Sequence, residues 1–248
     1  MPAALVTGAA SGIGRAVAER LLAGGHDVLA VDLGPSAAES GGRTATSFEA
    51  DLTTREGNAG AVQAALDAFG RLDVIVANAG VQHIAPVREF PEDRWDQILA
   101  LLLTSPFLLA KHGWDALAAS GSGRFIVIAS AHALAASPFK AAYVSAKHGV
   151  LGLVKTIALE GGEAGITATA ICPGYVRTPL VERQLADQAR AHGLSEERVL
   201  EEVILEPHAV KRLIEPSEVA ETVAFLAGPT GSAFTGVPIT MDLGWTAR

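Results

Sequence analysis

The chain has 248 residues, 49% of them apolar, with a mean hydropathy of +0.31 and a formal net charge of −8. That composition allows a sizeable buried core, while the acidic balance disfavours nucleic acid or an anionic membrane as the natural partner. No apolar run approaches the ~18 residues of a membrane span, and a single cysteine, Cys172, excludes an internal disulfide and suits a reducing cytoplasm. The opening "MPAALVTGAASG" has no basic start followed by an apolar stretch and cleavage site, so no signal peptide is expected and structure should begin at about residue 3.

Seven short apolar runs follow in chain order: residues 3 to 7, 27 to 32, 44 to 51, 72 to 80, 124 to 130, 166 to 174 and 237 to 242. Runs of strand length with little polar alternation suit parallel strands covered on both faces. Between them lie Ala- and Leu-rich segments of helix length. Seven strands and about six helices predict an α/β fold, a single Rossmann-like doubly wound domain over residues 1–248, with helices on both faces of a seven-stranded parallel sheet. One insertion breaks the rhythm, at residues 178 to 213. It reads as two amphipathic helices hinged at Gly193, with Ser195 as an N-cap. Because it follows the C-terminal end of the sixth strand, where open α/β sheets bind ligands, it is assigned as a substrate lid, with an oligomer contact as the alternative.

"LVTGAASGIGRAVAERLL" places Gly8, Gly12 and Gly14 between the first strand and a helix. Glycines let the backbone turn sharply and approach a pyrophosphate, and the helix N-terminus offers free N–H groups and the positive end of its dipole. The second strand ends in Asp32, at about the ~20-residue distance expected of a ribose-binding carboxylate. Such a carboxylate accepts hydrogen bonds from ribose hydroxyls and repels a 2′-phosphate, which favours NAD over NADP. Asp51 and Leu52 are placed to meet an adenine ring, with a helix cap as the other reading of Asp51. Farther on, "YVSAK" sets Tyr143 and Lys147 at i and i+4 on one helix face. A secondary alcohol loses a hydride only as its proton leaves, and a phenol of pKa ~10 is too protonated to accept it near neutrality. An adjacent ammonium should lower that value. Ser130, at the end of the fifth strand, is the candidate to hold the substrate oxygen.

Together "TGAASGIG", "NAG" at 78 to 80, Ser130, "YVSAK" and "PGYVRT" at 173 to 178 resemble the short-chain dehydrogenase/reductase family over essentially the whole chain. The resemblance implies that Ser130, Tyr143 and Lys147 are catalytic. It also implies a cofactor site of Gly8, Ser11, Gly12, Ile13, Gly14, Asn78, Ala79, Gly80, Pro173, Gly174 and Val176, with Thr178 on the nicotinamide carboxamide and Lys147 on the nicotinamide ribose. "ASAHALAASPFKAAYVSAKHGVLGL", "AICPGYVRTPLVERQLADQ" and the "GWTAR" tail are similar to the branch that oxidises (R)-3-hydroxybutyrate to acetoacetate with NAD. By that match Gln82, His132, Lys140 and Gln184 grip the substrate carboxylate. A four-carbon hydroxy acid offers little apolar area, so charge-assisted hydrogen bonds must supply affinity and selectivity. Tyr175 and Trp245 are candidates to close the pocket around the methyl end, or ordinary packing.

Two positions depart from the family. Leu243 replaces a glycine near the C-terminus, and Leu102 stands where the family has an asparagine usually counted as the fourth catalytic residue. That asparagine acts through its main-chain carbonyl, exposed by a distorted helix; here Pro106, lacking an N–H for the i−4 carbonyl, is expected to free the Leu102 oxygen instead. Two alternatives stay open: an oxidoreductase for another small hydroxy acid or ketone, and a catalytically weakened nucleotide-binding protein. Cys172 has no partner for thiol catalysis, and no His, Cys and carboxylate cluster has metal-ligand spacing. The helices around 92 to 117 and 141 to 160 carry more apolar surface than one sheet face can cover, which predicts a homotetramer.

Overall fold

All seven apolar runs form strands; in five of them the side chains alternate between two dry faces, while the third and seventh runs, at the sheet edges, stay partly exposed. In the computed structural model, which describes every residue except 183, 184, 186 to 188, 190 to 192 and 248, these strands are β1 (Ala3–Thr7), β2 (Asp27–Asp32), β5 (Thr46–Glu49), β6 (Val74–Ala77), β7 (Arg124–Ile128), β8 (Thr167–Pro173) and β9 (Val237–Met241). All pair in parallel, in the order β5-β2-β1-β6-β7-β8-β9. Leu5, Leu29, Ile75, Phe125 and Val127 face one core, while Val6, Val28, Val74, Ile126 and Ile128 face the other. Full burial of each large member contributes roughly 1.5–3 kcal/mol. Between β2 and β5 the sequence "ESGGRT" forms a small antiparallel hairpin, β3 (Glu39–Ser40) and β4 (Arg43–Thr44), turned by Gly41 and Gly42 at positive φ.

Helices α1 (Gly12–Ala23) and α6 (Pro216–Ala227) cover the second face. The latter starts at a capping box of Glu215 and Glu218 with Pro216 in its first turn, where a missing N–H costs nothing. On the first face lie α2 (Arg55–Phe69), α4 (Ser105–Ala119) and α5 (Ala141–Gly161), a 21-residue helix. The stretch expected as a helix over 92 to 117 is α3 (Glu92–Leu99), then a π-helical turn at Ala100–Thr104, then α4. Ser105 N–H donates to the Ala100 carbonyl five residues back, and Pro106 has no N–H to restore the α-helical register. After β8, Gly193 sits at φ +64 and Ser195 caps a short helix, Glu196–Val199, its Oγ accepting from Arg198 N–H at 3.3 Å. That helix continues as a second π turn, Leu200–Ile204, and its Val199 and Ile204 cluster with Leu213 and Tyr175. No described helix is long and apolar enough to cross a membrane.

Candidate active site

The C-terminal ends of β1, β2, β6, β7 and β8 open into one cleft of about 440 Å³. At its first end Gly8 turns at φ +67, and a side chain on Gly14 would overlap the Gly8 carbonyl oxygen, so the loop fits only with glycine there. Thr7 Oγ1 accepts from the Asn78 and Ala79 N–H groups at 2.9 and 3.0 Å, and Asn78 Nδ2 donates to the carbonyls of Thr7 and Gly8 at 2.8 and 3.3 Å. The segment 78 to 80 thus braces the glycine loop from behind. Asp32 accepts from Ala10 N–H at 2.9 Å and Leu33 N–H at 2.8 Å, leaving further lone pairs on each oxygen toward the cleft. Asp51 takes the form of a turn: its Oδ1 accepts from the N–H and Oγ1 of Thr53, and these bonds hold its carboxyl below the usual range. Leu52 is buried beside it, and both line the cleft. Ser11, Gly12, Ile13, Gly80, Pro173, Gly174, Val176 and Thr178 complete this half. A glycine cradle, a helix N-terminus and an edge carboxylate fit a dinucleotide.

Ser130, Tyr143 and Lys147 meet in the middle of the cleft. Helix α5 carries the last two on one face, with Lys147 Nζ 5.5 Å from the centre of the Tyr143 ring and donating to the Ile128 carbonyl at 2.7 Å. The expected lowering of the phenol by this ammonium does not occur in the protein alone: burial pushes Tyr143 up to about 12 and pulls Lys147 down to about 8. Desolvation outweighs the pair because Tyr143 packs against Ile98, Leu102, Ala142 and Ala146 and Lys147 is itself buried. Leu102 is 2% exposed and does not line the cleft; it lies in the π turn and its side chain packs with Ala142 and Ala146 of α5. Cys172 is fully buried and its thiol is pushed up to about 11 by that burial, so it is inert.

At the far end lie Gln82, His132, Lys140, Tyr175 and Trp245. Gln184 lies outside the described residues. Lys140 is 5% exposed, has no carboxylate partner among the described residues, and donates to the Tyr175 hydroxyl at 2.9 Å with its ammonium 5.0 Å from that ring. The Tyr175 hydroxyl is therefore turned toward the Lys140 ammonium. The residue before Lys140, Phe139, has φ +66, and its carbonyl accepts from Ala85 N–H at 3.0 Å; this left-handed turn aims the lysine inward. His132 lies between the rings of Tyr143 and Trp245, at 5.9 and 4.9 Å. Burial and the nearby Lys140 charge lower it to about 3, so it is neutral at physiological pH.

Several residues of the site were not singled out from the sequence. Ser137 bonds His132 at 3.0 Å, Thr7 organises the 78 to 80 turn, and Gln97 and Leu101 reach the cleft from the helix around the π turn. Only Gln97 and Leu101 carried a signal, since they lie one turn apart on the face that points to the cleft.

A protein-family profile described as enoyl-(acyl carrier protein) reductase matches residues 8–246. D-beta-hydroxybutyrate dehydrogenase of Rhizobium meliloti (strain 1021) is 42% identical, over 99% of this chain and 98% of that protein. The enzyme of the same description from Cupriavidus necator is 36% identical over 99% and 98%. Among solved structures, the ligand-free aldohexose dehydrogenase of Thermoplasma acidophilum superposes with a TM-score of 0.90 at 28% identity, covering 100% of this chain and 94% of that one. With the parallel seven-stranded sheet, the glycine loop and the Ser130, Tyr143 and Lys147 cluster, these matches show that the chain is a dehydrogenase of the short-chain dehydrogenase/reductase family.

Proposed function

We propose that the protein oxidises (R)-3-hydroxybutyrate to acetoacetate, reversibly, with NAD. The observation that carries the substrate is Lys140: a buried ammonium in the catalytic cleft, held by one neutral hydroxyl and without a described carboxylate, calls for an anion. A substrate carboxylate seated there, with Gln82 and Tyr175 beside it, would set a β-hydroxyl toward Ser130 and Tyr143. The relatives described as D-beta-hydroxybutyrate dehydrogenases support the same reading. Asp32 supports NAD, because a 2′-phosphate would meet its carboxylate.

In this reading the whole chain is one nucleotide-binding domain whose segment 178–213 covers the substrate. The glycine loop, Asp32, Asn78 and Thr178 would hold the cofactor, whose nicotinamide supplies the hydride acceptor. Ser130 donates a hydrogen bond to the substrate oxygen, Tyr143 takes the hydroxyl proton, and Lys147 stabilises the phenolate. Because burial holds Tyr143 up to about 12 in the protein alone, the phenolate needs additional positive charge in the cleft at the moment of reaction. The proton leaves through a water held by the Leu102 carbonyl, opened by Pro106 and the π turn at Ala100–Thr104. The protein works as a cytoplasmic homotetramer: Phe107 and Leu159, 46% and 86% exposed on the outer faces of α4 and α5, support symmetric pairing there. Light scattering at micromolar concentration tests this, and a monomer would refute it. The substrate assignment is tested by comparing (R)-3-hydroxybutyrate with 2-butanol: a strong preference for the acid is expected, and equal kcat/KM would overturn it.

A further inference from the structure

Three hydrogen-bonding groups outside the cofactor cradle line up toward the reacting oxygen. His132 Nε2 lies 3.0 Å from Ser137 Oγ, and His132 Nδ1 lies 3.4 Å from Ser130 Oγ. Ser130 Oγ also accepts from the His132 main-chain N–H at 3.1 Å. On its other side Ser130 neighbours the Tyr143 phenol closely enough to favour its ionised form. Each ring nitrogen of a neutral imidazole is either donor or acceptor, never both, so one proton position decides the polarity of the whole row. If Nδ1 were bare, its lone pair would face Ser130 Oγ, and the serine would turn its proton toward the ring and away from the phenol. If Nδ1 carries the proton, Oγ receives two N–H groups, and its own proton can go only outward, to Tyr143 or the substrate oxygen. Nε2 is then an acceptor, and Ser137 must be its donor.

We propose that Ser137 is a positioning residue that donates its hydroxyl proton to His132 Nε2, fixes the imidazole proton on Nδ1, and so turns the Ser130 hydroxyl toward the reacting oxygen. This rests on the reading of Ser130 as the group that meets the substrate oxygen. The bonds then run one way, Ser137 to His132 to Ser130 to the reaction centre, and each polarises the next. Tyr143 and Trp245 on either side of the imidazole oppose a ring flip that would exchange the two nitrogens. A consequence is that His132 has neither ring nitrogen left for a carboxylate, which leaves Lys140 as the charged anchor.

The test uses the full-length protein labelled with ¹⁵N-histidine. Ring nitrogen shifts identify the tautomer, and His132 is assigned by the signals lost in His132→Asn. The expected result is a proton on Nδ1 in the wild type and a shift toward Nε2–H in Ser137→Ala. In that variant kcat should fall by about three- to tenfold, the loss of one net hydrogen bond, with KM and cofactor affinity changed far less. Ser137→Thr, which keeps the hydroxyl, should restore both the tautomer and kcat. A wild-type proton on Nε2, or an unchanged tautomer and kcat in Ser137→Ala, would overturn the proposal. The tautomer is read without substrate, so it is decided even if 3-hydroxybutyrate proves not to be the substrate.

Discussion

Replacing Lys140 by methionine should make the protein more stable and a worse enzyme. The residue is 5% exposed, and among the described residues its ammonium has one partner, the neutral Tyr175 hydroxyl at 2.9 Å. A buried charge without a counter-ion carries a desolvation cost, and replacing buried ionic groups by hydrophobes of similar volume is often stabilising by about 1–4 kcal/mol. Methionine keeps the length and apolar stem of the lysine and fills the same space. For a chain of this size 1 kcal/mol shifts Tm by about 2–4 °C, so the substrate-free variant should melt a few degrees higher. The same substitution removes a charge-assisted hydrogen bond to the substrate carboxylate, worth about 1.5–3 kcal/mol. That energy corresponds to a KM for (R)-3-hydroxybutyrate raised by roughly 10- to 150-fold, while oxidation of 2-butanol should hardly change. Thermal denaturation without ligand and steady-state kinetics on the two alcohols read out both halves. A variant that melts lower, or loses equally on both substrates, would refute the idea that Lys140 is an uncompensated cation kept for an anionic substrate.

Tyr143→Phe removes only the ionisable oxygen and should abolish oxidation while leaving NADH binding, read by fluorescence titration, nearly intact; turnover within about tenfold of wild type would mean that another base operates. Asp32→Ala should erode the preference for NAD over NADP in kcat/KM, and an unchanged ratio would show that Asp32 does not read the ribose. Phe139→Asn places a residue that tolerates positive φ at a position 43% exposed, and should raise stability to denaturant by about 1 kcal/mol with the substrate KM retained. Pro106→Ala returns an N–H to the helix and should lower kcat with little effect on NAD affinity; unchanged kcat would separate the π turn from proton release.

The central strands were legible because burial on both faces writes itself as unbroken apolar runs, and "TGAASGIG" was legible because only glycine fits at Gly8 and Gly14. Tyr143 and Lys147 could be paired from helical spacing alone. Their protonation could not, since the outcome depends on burial, and Ile98 and Leu102, which pack against Tyr143, come from a helix distant in sequence. The π turn at Ala100–Thr104 adds one residue to the helical ladder without interrupting the apolar pattern, so the sequence shows only Pro106 as a hint. The Gly41–Gly42 hairpin signal was present but its strands are two residues each, below what alternation can reveal. Ser137 meets His132 across an irregular loop where no periodicity predicts side-chain direction. Phe139 in a left-handed conformation runs against its residue type and follows from how Ala85 ties the loop.

If one cleft joins a nicotinamide site to a clamp for a small hydroxy acid, the enzyme should discriminate both the acceptor and the enantiomer. The most direct measurement is NADH formation by the purified protein with (R)- and (S)-3-hydroxybutyrate as separate substrates and NAD or NADP as acceptor. The expected result is rapid NAD reduction with the (R) enantiomer, little with the (S) enantiomer and little with NADP. No reduction with either enantiomer, from protein that binds NADH, would contradict it.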